Sequence, residues 1–368
     1  MILKRFCAES FRNIDSCDIE FSPGVNLLYG RNAEGKTNVI EGIYIFSRGK
    51  SFRRADDSDL VKFGGQGFRI SIEYSDKSGD GTLEYAYFGK ERLRKKNGYK
   101  LNKVAEMIGS FKSVIFYPDN LSLVKDGPDA RREFLNVAIA QCYPSYMKYY
   151  ASYKSALENR NCLLKFIQRG FFVDRAELES WSKSMAEYAS YIYLLREQYS
   201  EVLSRHAKRI LSDISESREE LVIRYDSSIS EKLSEREDVK REYERIFSEN
   251  IDKEISQGTS LYGPHRDDLK IYLNGKEARS FASQGQQRSI VLAMKLAEGE
   301  VIREIFGEYP VFLFDDVLSE LDDKRRAYVL SGVGERQFII TSCSRSECEG
   351  FSQNEIDVSG GHYVRSHR

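Results

Sequence analysis

Gly30-Arg31-Asn32-Ala33-Glu34-Gly35-Lys36-Thr37 sets two glycines ahead of a lysine and a hydroxyl residue, which is the spacing of a phosphate-binding loop. Such a loop closes its backbone N–H groups around a β-phosphate, and glycine permits that approach. Lys36 then reaches the β- and γ-oxygens and Thr37 reaches Mg²⁺. Working outward, Gly24-Val25-Asn26-Leu27-Leu28-Tyr29 reads as a short buried strand. Asn38 to Phe46 reads as an apolar-faced helix whose N-terminus favours anions. The order strand, loop, helix is the one this chemistry requires.

A second set of signals lies near the other end. Ser283-Gln284-Gly285-Gln286-Gln287-Arg288 precedes a helical pattern with Ile290, Val291, Met294, Leu296, Ala297, Val301 and Ile305, so a hydroxyl and a glycine stand at a helix N-terminus. Taken alone, that arrangement is more often a simple cap. Val311-Phe312-Leu313-Phe314 then reads as a central parallel strand ending in Asp315-Asp316, the end at which such strands present ligands. Asp315 is positioned to hold Mg²⁺, directly or through water, and Asp316 to orient or deprotonate an attacking water. Ser319-Glu320-Leu321-Asp322 follows, and Gln337 to Ser342 reads as a further buried strand ending in hydroxyls.

This succession resembles the ABC-type ATPases of chromosome maintenance, and within them the RecF family of recombination and repair proteins, over nearly the whole chain. The residues that carry the resemblance are Phe11-Arg12-Asn13, the loop with Ile40-Glu41-Gly42-Ile43-Tyr44, Lys50-Ser51-Phe52-Arg53, Phe116 to Pro128 closed by Arg131-Arg132-Glu133-Phe134-Leu135, Tyr262 to Leu269, and Asp315 to Asp322. It implies an α/β fold, an ABC-type ATPase head with a mixed sheet plus an inserted helical lobe and no long coiled coil. The stretch between Lys36 and Ser283 is too short for the arms of the structural-maintenance-of-chromosomes proteins. Implied ATP contacts are Arg12, Asn13, Gly30, Arg31, Asn32, Ala33, Glu34, Gly35, Lys36, Thr37 and Asn38, with Thr37 and Asp315 on Mg²⁺. Ser283 and Gly285 are expected to act across an ATP-dependent homodimer, and Gln286 and Asp322 to contact the nucleotide. Implied partners are double-stranded DNA, gapped or junction DNA, and the RecR and RecO mediator proteins.

There are departures from the family pattern. Ala33 and Glu34 replace the usual Gly and Gln of the loop. The wider superfamily has a glutamine ahead of its helical lobe where this chain has Pro118-Asp119-Asn120. Asp316 stands where many relatives have the longer Glu, so hydrolysis is expected to be slow. Two other readings of the same nucleotide chemistry are a transporter's ATPase subunit and a scaffolding protein with a degenerate ATP site; the intact Lys36, Thr37, Asp315 and Asp316 weigh against the latter.

The 368 residues leave room for one large core and a smaller second unit. A 41% hydrophobic and 31% charged composition, with no apolar run long enough to span a membrane, fits a globular cytoplasmic chain, and no leader segment is expected. The six cysteines have no C-x-x-C pair and the four histidines are scattered, so reduced thiols are expected and zinc is not. With a net charge of −1, any DNA surface must be local. The stretch Lys90 to Lys100 reads as a hairpin turning at Asn97-Gly98. Its Arg92, Arg94, Lys95, Lys96 and Lys100, with Arg53 and Arg54, make either a DNA surface or a solvated charged edge.

Three segments follow from the change of pattern: 1–140 and 255–368 as the two parts of the ATPase lobe, and 141–254 as the helical lobe. In the last, the tyrosines at 143, 146, 150 and 153 recur at helical spacing and are read as packing rather than as base-stacking platforms. Ser227 to Asn250 is read as an exposed charged helix or tip. The segment Gly263 to Asp268 is expected to form an interlobe salt bridge or to face DNA, in preference to a separate hydrolytic site.

Overall fold

Strands without a polar face are stable only when both faces are covered, and the three apolar runs of the sequence are satisfied together. In the computed structural model, which describes residues 1–331, 334–348, 350–359 and 362–365, they share one sheet. Its order is His362–Arg365, Ser352–Ser359, Val25–Tyr29, Gln337–Ser342, Val311–Asp315, Ser113–Phe116. All neighbours are parallel except the His362–Arg365 pair. The strand feeding the loop is therefore held between two strands from the far end of the chain.

A second, antiparallel sheet runs Ile14–Glu20, Ile2–Phe11, Gly67–Asp76, Gly79–Phe88, Glu91–Lys96, Tyr99–Lys100. Period-2 alternation turns Phe68, Ile70, Ile72 and Tyr74 inward. The helix Lys36–Arg48 supplies Val39, Ile40, Ile43 and Phe46 to one core shared with Phe6 and Phe68 of this sheet and with Leu28, Leu313 and Ile339 of the parallel one. Each such side chain contributes about 1.5–3 kcal/mol by leaving water. The helix approaches so closely at Gly42 that an added Cβ would lie 2.5 Å from the Phe6 ring. Phe312 points to the opposite face of its strand from Leu313. There the helix Gln284–Phe306 covers it, at Gly299.

The chain divides into two compact units, Met1–Leu121 with His206–Glu219 and Ser283–Arg368, and Ser122–Arg205 with Glu220–Ala282. These borders differ from the expected 141–254, because the second unit is not purely helical. It owns a small sheet, Leu221–Asp226, Asp268–Leu273 and Lys276–Glu277, against which the helix Pro128–Cys142 packs. Arg131 clamps Asp268 with two bonds of 2.7 and 2.9 Å. Both residues are buried members of the second unit, so this pair closes that unit internally instead of bridging lobes. His265, its Nδ1 2.6 Å from the Tyr153 hydroxyl, and Asp267, which accepts from Tyr225 and from Ser228 N–H, belong to the same buried network and do not face solvent-borne DNA.

Tyr146 and Tyr153 are fully buried, and the helix Arg236–Glu249 within the charged stretch buries Val239, Tyr243, Ile246 and Phe247. The 41-residue helix Arg175–Ser215 begins in the second unit, and its residues from His206 onward are counted with the first.

Candidate nucleotide site

The loop is shaped by its own backbone. Gly35, at the helix N-cap, has φ 112°, and an added Cβ at Gly30 would fall 2.1 Å from the Val358 carbonyl oxygen. Ala33 adopts φ 68°, a left-handed conformation that costs a residue with a Cβ about 1–2 kcal/mol. The Gly-to-Ala departure is thus accommodated at that expense. Lys36 Nζ donates to the carbonyls of Gly30 at 2.6 Å and Arg31 at 2.8 Å, which holds the ammonium over the loop.

Across the sheet, Asp315 Oδ1 accepts from the Thr37 hydroxyl at 2.9 Å and from the Thr341 hydroxyl at 2.8 Å. Burial pushes the Asp315 carboxyl above the usual carboxylate range, with the two hydroxyls opposing the shift. A cation beside it would favour the charged form. A carboxylate and a hydroxyl within hydrogen-bond reach are hard oxygen donors of the kind Mg²⁺ takes alongside substrate phosphates, so the residues fit that ion. Among the described residues there is no cluster of three His, Cys, Asp or Glu able to cage a metal unaided. Asp316 has φ 53° and its N–H donates to Thr341 Oγ1 at 3.0 Å. The sharp turn places this second acid on the wall of the cleft.

That cleft, about 500 Å³, is lined by Arg12, Asn13, Asn32, Ala33, Gly35, Lys36, Thr37, Asn38, Arg53, Asp59, Val61, Asp316 and Thr341. Arg12 forks onto Glu41 at 2.9 and 2.7 Å, and Glu41 is completely buried. Asn13 donates to the Ala33 carbonyl at 3.1 Å, and Asn38 donates to Asn13 Oδ1 at 2.6 Å. Arg53, grouped by sequence with the DNA candidates, lines the cleft and donates to Asn38 Oδ1 at 3.2 Å. Sequence reasoning passed over Asp59, Val61 and Thr341. For Thr341 a signal exists in the pair of hydroxyl residues that ends its strand. Asp59 lies in the 3-10 turn Asp57–Leu60 and Val61 bridges to Phe11, neither of which belongs to a nucleotide-binding motif.

Ser283, Gly285, Gln286 and Asp322 do not line the cleft. Ser283 caps its helix by accepting from Gln286 N–H at 3.3 Å, while Gln286 Oε1 accepts from Ser283 N–H at 2.8 Å. Gln286 Nε2 also reaches Glu219 at 2.9 Å. Ser283 and Gly285 are exposed, and a Cβ at Gly285 would meet nothing within 4 Å. Asp322 accepts from Arg325 N–H at 2.9 Å. In the loop where a glutamine would stand, Asn120 Oδ1 accepts from Tyr117 N–H at 3.0 Å, tying its own turn.

The hairpin forms, with Lys96 opposite Tyr99 and left-handed Asn97 and Gly98 at the turn. Much of its charge is engaged by neighbouring residues: Arg92 with Asp57 at 2.5 Å, Lys95 with Glu84 at 3.5 Å, Lys96 with Ser110 at 3.0 Å, and Arg94 over the Tyr85 ring at 5.0 Å. Arg54 and Lys100 are exposed and have no ion pair among the described residues.

Comparison with known proteins identifies the family. Residues 2–359 match the family model described as the RecF/RecN/SMC N terminal domain. A DNA replication and repair protein RecF of Thermoanaerobacter sp. (strain X514) is 36% identical over 352 residues, covering 95% of this chain and 96% of its own. That of Geobacillus kaustophilus (strain HTA426) is 35% identical over 369 residues, covering 100% and 98%. A solved structure of the recombination mediator protein RecF with ATP, in the RecFOR pathway, superposes with a TM-score of 0.92 at 34% identity, covering 100% of this chain and 98% of that one. An SMC head bound to the C-winged helix domain of ScpA shares the fold, with a TM-score of 0.57 at 15% identity.

Proposed function

The chain belongs to the RecF family of DNA replication and repair proteins, and on that premise we propose that it is an ATP-dependent DNA-binding protein of recombinational repair and replication restart, acting near single-strand gaps to help load recombinase. Its relatives' structures with ATP and an ATP analogue support ATP as the ligand of the cleft. The observation that carries the reading is the pairing of Thr37 with Asp315 beneath the phosphate-binding loop, in a chain that aligns with those relatives from end to end. A scaffold with a degenerate site does not account for the pairing, and a transporter subunit, which shares that chemistry, does not account for the full-length alignment.

Lys36 would hold the β- and γ-phosphates, and Thr37 and Asp315 would hold Mg²⁺. When bound, that ion offsets the charge of the transferred phosphate. Asp316 would orient water, and its short side chain favours slow hydrolysis that serves as a release step. Ser283 and Gly285, exposed and apart from the cleft, would meet the γ-phosphate of a second copy, so that ATP favours a dimer by adding contacts absent without it. The dimer would hold duplex DNA, with RecO and RecR as cytoplasmic partners. Among the described residues no helix is long and apolar enough to cross a membrane.

Analytical ultracentrifugation with and without Mg-ATP and a short gapped duplex tests this. An ATP-dependent dimer on DNA is expected; Ser283→Arg should stay monomeric while still binding ATP, and Lys36→Met should lose ATP. A Ser283→Arg protein that dimerises normally would sink the trans arrangement.

A further inference from the structure

The second unit carries a feature that the nucleotide site does not use. The helix Ser145–Gln168 and the helix Arg175–Ser215 are joined by a short turn, and around it three phenylalanines face water: Phe166 is 43% exposed, Phe171 61% and Phe172 96%. Soluble surfaces rarely gather large apolar side chains in this way without a partner. Lys165, Arg169 and Arg175 stand among them. All three are exposed, and none has a carboxylate partner among the described residues. By contrast, the charged helix Arg236–Glu249 of the same unit pairs its arginines with acids of its own. Asp174, the acid within the turn, is occupied in accepting from Ala176 N–H at 2.9 Å.

The turn is a fixed shape. Arg169 and Gly170 N–H return to the carbonyls of Phe166 and Ile167 at 3.1 and 2.9 Å, and Phe171 N–H returns to Phe166 at 3.0 Å. Gly170 takes φ 82°, and Gln168 anchors the turn to the Ser256 carbonyl at 2.7 Å. Phe166 and Phe171 meet edge to face at 6.0 Å, so only one face of one ring is occupied by the other's edge, and Phe171 stays 61% exposed. Phe172 presents nearly its whole ring to solvent.

We infer that this tip, residues 165 to 175, contacts nucleic acid by stacking unpaired bases on Phe171 and Phe172 while Lys165, Arg169 and Arg175 meet the adjoining phosphates. The inference rests on the DNA-binding reading above and adds where the single-stranded side of a gap would be recognised. Unpaired cations beside open aromatic faces are the combination that single-stranded nucleic acid engages: rings accept any base and cations follow the backbone. Lys165 and Arg169, one helical turn apart, share a face. An acidic protein segment is the other partner that such charge would admit, and it would be expected to need a recess for its own apolar side chains; the convex tip offers protruding rings.

The test uses the full chain with Mg-ATP and two fluorescent DNAs of equal duplex length, one blunt and one with a single-stranded extension carrying 2-aminopurine beside the junction. The Phe171→Ala/Phe172→Ala double variant should fold as the wild type, since both rings are exposed. It should lose roughly fivefold or more of its affinity for the extended DNA, keep its affinity for the blunt duplex, and lose the wild type's 2-aminopurine quenching. Phe172→Trp should retain both. If wild type and double variant bind and quench alike, this inference fails while the DNA-binding reading stands. If the wild type binds neither DNA, both fail. An undiminished DNA response, with loss of binding to an acidic phenylalanine-containing peptide, would overturn the inference in favour of a protein partner.

Discussion

Thr37 and Asp315, 278 positions apart in the sequence, meet through a 2.9 Å hydrogen bond that joins the two ends of the chain at one site. The contact sets a hydroxyl from the loop helix against a carboxylate from the end of a buried strand. Asp315→Asn keeps the shape and removes the charge that would hold a divalent ion. ATP hydrolysis should fall roughly 100-fold or more, given that such an ion is worth several kcal/mol at 1.4 kcal/mol per tenfold, while fluorescent-nucleotide binding should lose its dependence on Mg²⁺. Unchanged turnover would remove Asp315 from the metal's ligands.

Arg12 holds a second position of leverage, because its partner Glu41 is completely buried. Breaking a buried pair from one side leaves an uncompensated charge, which typically costs about 3–5 kcal/mol; here Ser51 and the more distant Arg53 still face Glu41, so Arg12→Ala should fall at the lower end. Pairing it with Glu41→Gln should recover part of the loss in urea melts without restoring ATP affinity. Full recovery of both would mean that Arg12 serves the fold alone.

Gly30→Ala must move either the loop or the strand Ser352–Ser359, since the new Cβ would sit 2.1 Å from a backbone oxygen. Forced overpacking of this kind costs about 1–3 kcal/mol. The variant should melt earlier and bind ATP more weakly, and ATP should raise its melting temperature by less than it does the wild type's. A wild-type melting curve would contradict the close approach.

His265 links stability to pH. Burial lowers its pKa from the ordinary 6.5 to about 4, so between those values the unfolded chain binds the extra proton and the folded chain does not. Stability from this residue is complete above about pH 6.5 and is lost as pH falls toward about 4. Urea midpoints of the wild type should therefore decline through that window more steeply than those of His265→Gln. Parallel profiles would show that His265 takes up its proton without disturbing the fold.

Arg54→Gln, in an exposed loop, and Lys100→Gln, on the antiparallel sheet, should each reduce the slope of log affinity for duplex DNA against log salt by about 1, as expected for a lost phosphate contact. Arg92→Gln should change it less, because Asp57 already holds that guanidinium. Equal slopes in all three variants would place the DNA elsewhere.

The nucleotide half of the molecule was legible in the sequence because it is written in local patterns: the loop, the apolar strands, and the acid pair at a strand end. The second unit was less so. Arg131 and Asp268, both expected in the ATPase lobe, pair inside the second unit, and the small sheet of that unit lies partly beyond residue 254, which strand-versus-helix periodicity cannot register. The charge of the hairpin was overcounted for a similar reason, since Asp57 and Glu84, which neutralise Arg92 and Lys95, belong to other stretches of chain. Arg53 lines the nucleotide cleft, a position that its adjacency to Arg54 does not reveal.

The position of Val25–Tyr29 between Gln337–Ser342 and Ser352–Ser359 also bears on how the protein is made. During synthesis the loop strand emerges early and waits, without either lateral neighbour, until residues 337–359 have followed it. A polypeptide that stops short of those strands therefore carries the motif without the neighbours that hold its strand in the sheet.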